Sequence, residues 1–481
     1  VIDVTVVGSG PNGLAAAVTL AAAGLEVRVL ERADTAGGGM RTAELTLPGF
    51  RHDLCSAVHP AALASPFFRA FRLTERVPFV VPDASYGHPL DDRPAGIAYR
   101  NLAWTAAELG RDGPAWTRLF APLVSRIDAL AALTGDTLLR YPAHPVTAAR
   151  LAQRALEQGS PLWNIRFTEP TAGALLTGVA AHSFGPHPRP AAAGAGLVLA
   201  AHAHAGGWGL PVGGTQAIAD ALVDELLRAG GSIEFGAEVR DRADVGPSRA
   251  VILDTSPEFL DAFGGDRLPI RYRRALGRYR RGPGAAKLDL ALSGPVPWRD
   301  ARLSRVPTVH LGGTRDEIAA AEREVAHGRI PERPYVLVVQ PSVVDPRRAP
   351  IGSHTLWAYA HVPRGSVEDP TALILDALER AAPGVRDLVL AAAPRTAVGL
   401  EEQNPNDVGG DILGGAVTLA QLVRRPVVSR EPWRTPLPGV YLCSASTPPG
   451  PGVHGMGGWH AARLALRDVF GITHVPYEFA G

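Results

Sequence analysis

The chain has 481 residues, with 48 basic and 47 acidic side chains, a formal charge of +1, and 46% hydrophobic and 20% charged residues. Beyond about 250–300 residues a chain usually outgrows one core, so two domains are expected, with segments free to interleave. The balanced charge excludes a global pull towards nucleic acid or an anionic membrane, and the apolar content excludes disorder.

Cys55 and Cys443 stand far apart in sequence. They exclude a disulfide scaffold and a CxxC redox or zinc site, and they suit a reducing, cytoplasmic setting. The first apolar stretch already belongs to a nucleotide motif, so no signal peptide is expected. Apolar runs such as 14–25 and 191–201 are too short to span a bilayer.

In chain order, Val4-Thr5-Val6-Val7 predicts a buried parallel strand. Gly8, Gly10 and Gly13 follow as GxGxxG. The first makes the tight turn, the second lets backbone approach a pyrophosphate, and the third lets helix pack close on strand. An Ala-rich helix over 14–23 ends at Gly24, and its first amides suit phosphate oxygens. A second strand over 27–30 ends at Glu31, whose carboxylate would accept ribose hydroxyls and repel a 2′-phosphate. Strand, turn, helix, strand and acid in this order predict dinucleotide binding.

Two further stretches bear on which dinucleotide. Gly37, Gly38 and Arg41 form GGxxR shortly after the acid, a second loop able to run along a pyrophosphate and neutralise it. Simple NAD dehydrogenases do not usually carry it. Near the far end a strand over 440–443 leads into a Gly/Pro loop and a helix from Trp459. Gly455, Gly457 and Gly458 there suit close approach of a flat ring to a helix N-terminus, whose positive end would stabilise charge on a reduced flavin.

With these residues the chain resembles the FAD-dependent phytoene-desaturase-like oxidoreductases, a branch of the flavoprotein group that includes amine oxidases, and it is most similar to their non-carotenoid branch. The likeness extends through "GWGLPVGGTQAIADALVDELLRAGGSIEFGAEV", "KLDLALSGPVPW", "VHLGGT", "VVQPSVVDPRRAPIGSHTLWAYAHVP" and "NPNDVGGDILGG". It implies FAD as cofactor. By motif, Gly8, Gly10, Gly13, Glu31 and Arg32 would hold the ADP half. Gly38, Gly39, Met40 and Arg41 would lie along the pyrophosphate and ribityl chain. Val239 would meet adenine through its backbone, and Ala445, Gly455 and Met456 would lie by the flavin. Ser444 stands where Gly is common, and "RDRADVGPSRAVILDTSP" is shorter than the usual β-hairpin region. Disulfide reductases use a redox cysteine pair and a second NAD-binding GxGxxG; neither pattern occurs in this chain, so hydride is expected to come from a substrate.

The fold expected is α/β: a Rossmann-type FAD-binding domain from three segments, 1–62, 205–262 and 398–481, with an inserted α+β substrate domain from 63–204 and 263–397. The first insertion reads as helices. Its stripe Trp116, Leu119, Phe120, Leu123, Ile127 and Leu130 has helical spacing, better suited to a core face than to a lipid surface. The second contains strand-like runs at 288–292, 335–340 and 355–359, which suggest a mixed sheet roofing the flavin. The basic run 271–281 reads as a solvated helix face.

A flavin desaturase needs its substrate C–H about 3–3.5 Å from the accepting atom in a dry pocket, whereas an amine or alcohol oxidase wants a nearby base. His454, in the flavin-end loop, and His59, after GGxxR, are the candidate catalytic bases; His460 reads as a helix residue. Lys287, the only lysine, sits beside Asp289 on a predicted strand. A salt-bridged strand lysine is the favoured reading, and a water-bridging lysine at the flavin the sharper one. His310, Trp357, Tyr359 and His361 alternate on predicted strands and suit either a pocket roof or an aromatic core. His202 and His204 share one strand face without a third ligand, so no metal site is expected. The expected activity is hydride transfer from a lipophilic or polycyclic small molecule to FAD, with a small or quinone-like acceptor. A flavin amine oxidase and a non-catalytic FAD-bearing interaction protein are the alternatives. No nucleic acid and no integral membrane segment are expected, while peripheral membrane contact and oligomeric state stay open.

Overall fold

Two sheets organise the chain in the computed structural model, which describes residues 1–479. The first is parallel. Strand β1 (Ile2–Val7) passes through Gly8-Ser9-Gly10 into helix α1 (Pro11–Ala22), which returns to strand β2 (Val27–Leu30). The sheet order is Val440–Leu442, Ser248–Leu253, β1, β2, Ser232–Glu234, every pair parallel. Its strands therefore come from near the start, the middle and the end of the chain. The β-branched run of β1 is buried because both faces of such a sheet are covered. Chain order reverses beside β1, since β2 lies on one side and Ser248–Leu253 on the other. A crevice opens outside the carboxyl ends of the strands at such a point.

Helix α1 is buried almost along its length because helix Met456–Ala465 and helix Gln216–Arg228 flank it. Small residues make this possible. A Cβ on Gly458 would stand 1.8 Å from the Asn12 carbonyl oxygen, and one on Gly457 2.6 Å from the Cys443 oxygen. These two glycines set helix-on-helix and helix-on-strand packing, a role different from the ring approach expected for them.

The second sheet is mixed, in the order Val389–Arg395, Gly284–Leu292, His354–Val362, Val336–Val339, Thr308–Leu311, Ala84–Leu90, Arg93–Tyr99. Its neighbours are antiparallel except Thr308–Leu311 with Ala84–Leu90. Two of the strands correct the helical reading of 63–204: Ala84–Leu90 and Arg93–Tyr99 form a hairpin. Gly87, His88, Pro89 and Gly96 break the apolar alternation that would have marked it. The rest of that stretch is helical, and Trp116, Leu119, Phe120, Leu123 and Leu130 are buried, with Ile127 half-buried beside them. The stripe is carried by two helices, Gly113–Val124 and Ile127–Thr134. His202 and His204 lie on helix Pro190–Ala205, where a strand face was expected. Of the basic run, Ile270–Leu276 is helical, but Arg281 is not solvated: its side chain is buried and ion-pairs with Glu258. Only the short helix Arg242–Val245, capped by Asp241, stands between Val239 and the strand Ser248–Leu253. Among the described residues no helix is long and apolar enough to cross a membrane.

Candidate cofactor and substrate cavity

A cavity of about 1330 Å³ runs from the glycine turn of β1, under the second sheet, and into the helices of the first insertion. An ordinary small-molecule site measures about 300–1,000 Å³, so this one has room for a dinucleotide and a second molecule.

At one end the wall is Gly8, Ser9, Gly10, Glu31, Arg32 and the loop 237–240 that includes Val239. Gly8 has φ +94°, and the carboxyl-end turn needs it. The Gly38 Cβ position lies 3.0 Å from Gly10 Cα, so the GGxxR loop rests directly on the GxGxxG loop. Gly39 and Arg41 also face the cavity, and Arg41 Nε donates to the Gly38 carbonyl at 3.1 Å. Glu31 Oε2 accepts from the Ser9 amide at 2.8 Å and the Ser9 hydroxyl at 2.5 Å, while Oε1 accepts from the Ala33 amide at 2.8 Å. The carboxylate is thus held at the strand end, on the cavity wall, with oxygens suited to diol hydroxyls. Gly13 and Met40 are not on the wall. A Cβ on Gly13 would meet the Gly8 oxygen at 2.2 Å, so this glycine seats α1 on the turn, and Met40 is wholly buried in the adjoining core.

At the other end the wall is Ser444, Ala445, Ser446, Gly452, Val453, His454 and Met456. Gly455 lies behind it: its φ is +68°, and a Cβ there would meet the Phe67 ring at 2.6 Å. His454 uses both ring nitrogens within its own loop. Nδ1 accepts from the Met456 amide and Nε2 donates to the Gly450 carbonyl, each at 3.1 Å. His59 also lines the cavity, with Nε2 2.9 Å from the Thr215 hydroxyl. Burial pushes both imidazoles down to about 4, so both are neutral at pH 7. His460 reaches the cavity as well, its Nε2 donating to the Gly135 carbonyl at 3.0 Å.

Leu337, Trp357 and Tyr359 of the second sheet form a roof. The other two alternating residues share that sheet face but lie beyond the cavity wall: His361 pairs with Glu322 at 2.6 Å, and His310 meets His182 at 2.9 Å. Lys287 is buried, ion-paired with Asp289 and 5.3 Å from the Trp357 ring centre; it pairs across the strands with Tyr359 and so lies beside the roof residues, on the same face of the sheet. The favoured salt-bridged reading describes these contacts.

Three polar groups at the cavity escaped the sequence reading. Asp254 follows the strand Ser248–Leu253, and its Oδ2 accepts from the Gly13 amide at 2.8 Å; burial first, then Glu31, push its carboxyl up to about 7. Asp407, in "NPND", is also pushed up to about 7, by burial and then by Asp411, and accepts from the Asn404 side-chain Nδ2 at 3.1 Å. Arg425 is buried and donates through Nε to the Ala445 carbonyl at 2.9 Å, while its Nη1 has no partner among the described residues. An acid directly after a parallel strand was a legible signal, because ligands gather at such strand ends. The other two had no local signature.

The residues fit a flavin dinucleotide: a diol-binding acid, two glycine loops in contact, and a cationic donor with a spare N–H at the opposite end. The comparisons with known proteins agree with this geometry. Residues 6–72 match the NAD(P)-binding Rossmann-like domain. The rat protein "Pyridine nucleotide-disulfide oxidoreductase domain-containing protein 2" is 25% identical over 97% of this chain and 94% of its own length. The chain is homologous to that protein. Among solved structures, a redesigned putrescine oxidase superposes with a TM-score of 0.61 at 16% identity, covering 98% of this chain and 99% of that one. Cyclohexylamine oxidase from Brevibacterium oxydans gives 0.58 at 14% identity, covering 97% and 98%. The chain therefore has the α/β fold of the FAD-type oxidoreductases. The rat protein's name mentions disulfides; here Cys55 and Cys443 are both free, one at the cavity wall and one in the core.

Proposed function

We propose that the chain is an FAD-dependent oxidoreductase of the phytoene-desaturase-like type that takes hydride from a lipophilic small molecule and passes the electrons to a small or quinone-like acceptor. A bound flavin would supply the hydride acceptor. Glu31, with Gly8 and Gly10, would hold the ADP half. Gly38, Gly39 and Arg41 would flank the pyrophosphate. Ala445 and Met456, with Arg425 behind them, would bound the ring.

One observation carries the reading: the dinucleotide end of the cavity continues without interruption into an apolar arm. That arm runs between helices Pro145–Gln158 and Pro190–Ala205, where Leu151, Ala155, Gly194, Val198 and Leu199 face it. An apolar wall takes an apolar ligand and excludes water around the reacting bond. Trp357 and Tyr359 would cover the reacting region. With His59 and His454 neutral and held in hydrogen bonds, these side chains would orient and exclude water, and the oxidation of a C–C bond requires no strong base.

The test is direct. Purified protein should show the bands of oxidised flavin, at about 370 and 450 nm, and release FAD on denaturation. Anaerobic bleaching by long-chain or polycyclic compounds, but not by putrescine or cyclohexylamine, would support desaturation. Bleaching by the amines alone would move the protein to the amine-oxidase reading. A colourless protein that binds NAD and no FAD would overturn both.

A further inference from the structure

The outer surface of the first insertion is apolar where the cavity reaches it. Leu138, Tyr141, Val146, Leu156, Leu162 and Ile165 are each half or more exposed, Tyr141 at 87%. Among the exposed residues from 137 to 166, Arg150 is the only one with a charge. Helix Pro145–Gln158 shows how this face is built. At about 100° per residue, Val146, Ala149, Arg150, Ala152, Gln153 and Leu156 fall on one side, and all six are exposed. Leu151 and Ala155 fall on the opposite side and line the apolar arm. A surface helix ordinarily turns its charges outward. Here Arg154 and Glu157 pair on the half-buried side, 3.2 Å apart, and the outward side is left mostly apolar. The loop 136–144 belongs to both surfaces: Leu138, Tyr141 and Ala143 line the cavity and are exposed, so the cavity opens within the apolar face.

We propose that this face docks on the surface of an anionic lipid bilayer, with the mouth of the cavity against the membrane, so that a lipophilic substrate passes from lipid into the apolar arm. The docking rests on the oxidoreductase reading above for its substrate.

Charge selects the occupant. From 111 to 166 the sequence has seven arginines and four acids, a formal charge of +3 in a chain of +1 overall. Arg140 pairs with Asp136, and Arg154 and Arg166 pair with Glu157. Arg111, Arg118, Arg126 and Arg150 are exposed and have no acidic partner among the described residues. Unpaired guanidiniums around an apolar face complement the phosphates of anionic headgroups. Shape agrees with this occupant. Val146 and Leu156 lie on one side of the helix, about 15 Å apart along its axis, as suits a helix lying in the interface plane with its apolar side at the acyl boundary. Tyr141, at the mouth, has the amphipathic ring that settles at headgroup level. The apolar arm lies one helix diameter, about 10 Å, behind this face. A protein seated here would close the mouth. Lipid would leave it open to apolar solutes and keep water from it. The stripe of Trp116, Leu119, Phe120, Leu123 and Leu130 takes no part, since it is buried in the core.

The experiment is cosedimentation of the full chain with vesicles of phosphatidylcholine, with and without about one-third phosphatidylglycerol. Binding to the anionic vesicles should be about tenfold or more tighter than to phosphatidylcholine alone, and should weaken as salt rises. Arg150→Gln should weaken it about fivefold. Val146→Asp combined with Leu156→Asp should weaken it by about tenfold or more, with the circular dichroism spectrum unchanged. If that pair does not fold, Ile165→Asp should act in the same direction. No binding to the anionic vesicles, or unchanged binding in the folded variants, overturns the docking. A dimer in sedimentation velocity that the same substitutions dissociate also overturns it and gives the face to a second copy of the chain. The visible spectrum of the same samples, with FAD added, separates the two ideas. A chain that pellets with the vesicles but binds no FAD loses the oxidoreductase reading, and a flavoprotein that stays in the supernatant loses only the docking.

Discussion

Asp254 shows what a single buried carboxyl can do at the proposed phosphate site. It occupies the Gly13 amide at the start of α1, where an anion would bind. Ionised, it would repel a pyrophosphate; protonated, it would not. With its value near 7, FAD should bind about tenfold more weakly at pH 8 than at pH 6, and Asp254→Asn should flatten that dependence in a fluorescence titration. Stability follows the same sign. The folded value lies above the unfolded one, so the unfolded chain loses the proton first. This carboxyl's contribution falls as pH rises from about 4 to about 7 and stays low above. Asp254→Asn should therefore raise the melting temperature at pH 8 more than at pH 5. His454 makes a contrasting case. Its Nδ1 satisfies the Met456 amide, and removing a buried partner costs about 1–3 kcal/mol. His454→Ala should lower stability by that amount in denaturant titration. Were this ring the base, turnover would also fall by about a hundredfold or more, and the pair of readouts separates the two roles. The acid at 31 was legible because its spacing from GxGxxG is fixed by one helix and two strands. Asp254 carried only the general signal of an acid after a strand, and Arg425 none, because their partners, Gly13 and Ala445, are 241 and 20 residues away.

At the level of elements, glycine decides how close backbones come. Gly458 has no room for a side chain against Asn12 of α1. Gly458→Val should force helix Met456–Ala465 off α1 and lose both FAD binding and the cooperative thermal transition, as scanning calorimetry would show. The glycines of this helix drew notice in the sequence, but pattern alone could not say whether a ring or another helix required them. Parallel strands were readable from β-branched runs with both faces apolar. The hairpin Ala84–Leu90 with Arg93–Tyr99 was not, since its burial comes from the sheet and helices it joins and not from its own alternation.

For the whole molecule, the consequence is one cavity with two kinds of wall. Gly194 sits where the apolar arm passes between two helices, and a Cβ there would find only the Ala155 methyl, at 3.7 Å. Gly194→Leu should keep the fold, since leucine is the better helix former by about 0.8 kcal/mol, and should keep FAD affinity. Bleaching by long apolar compounds should fall by about tenfold or more because the larger side chain obstructs the arm. Loss of FAD along with bleaching would show that the arm and the dinucleotide end are not separable.

By itself the sequence determined the dinucleotide-binding unit, from the order of strand, glycines, helix, strand and acid. It also determined the apolar composition of the insertions, because both are local patterns imposed by backbone geometry and burial. Only the tertiary structure decided which residues share a surface. It put Trp357 and Tyr359 at the cavity and left His361 and His310 beyond its wall, although all four share one face of the sheet. It set Asp254 against the glycine turn and brought His182 within 2.9 Å of His310. Those contacts join residues from distant segments, so they depend on how two sheets and a helical layer pack together, and no periodicity within a segment records that.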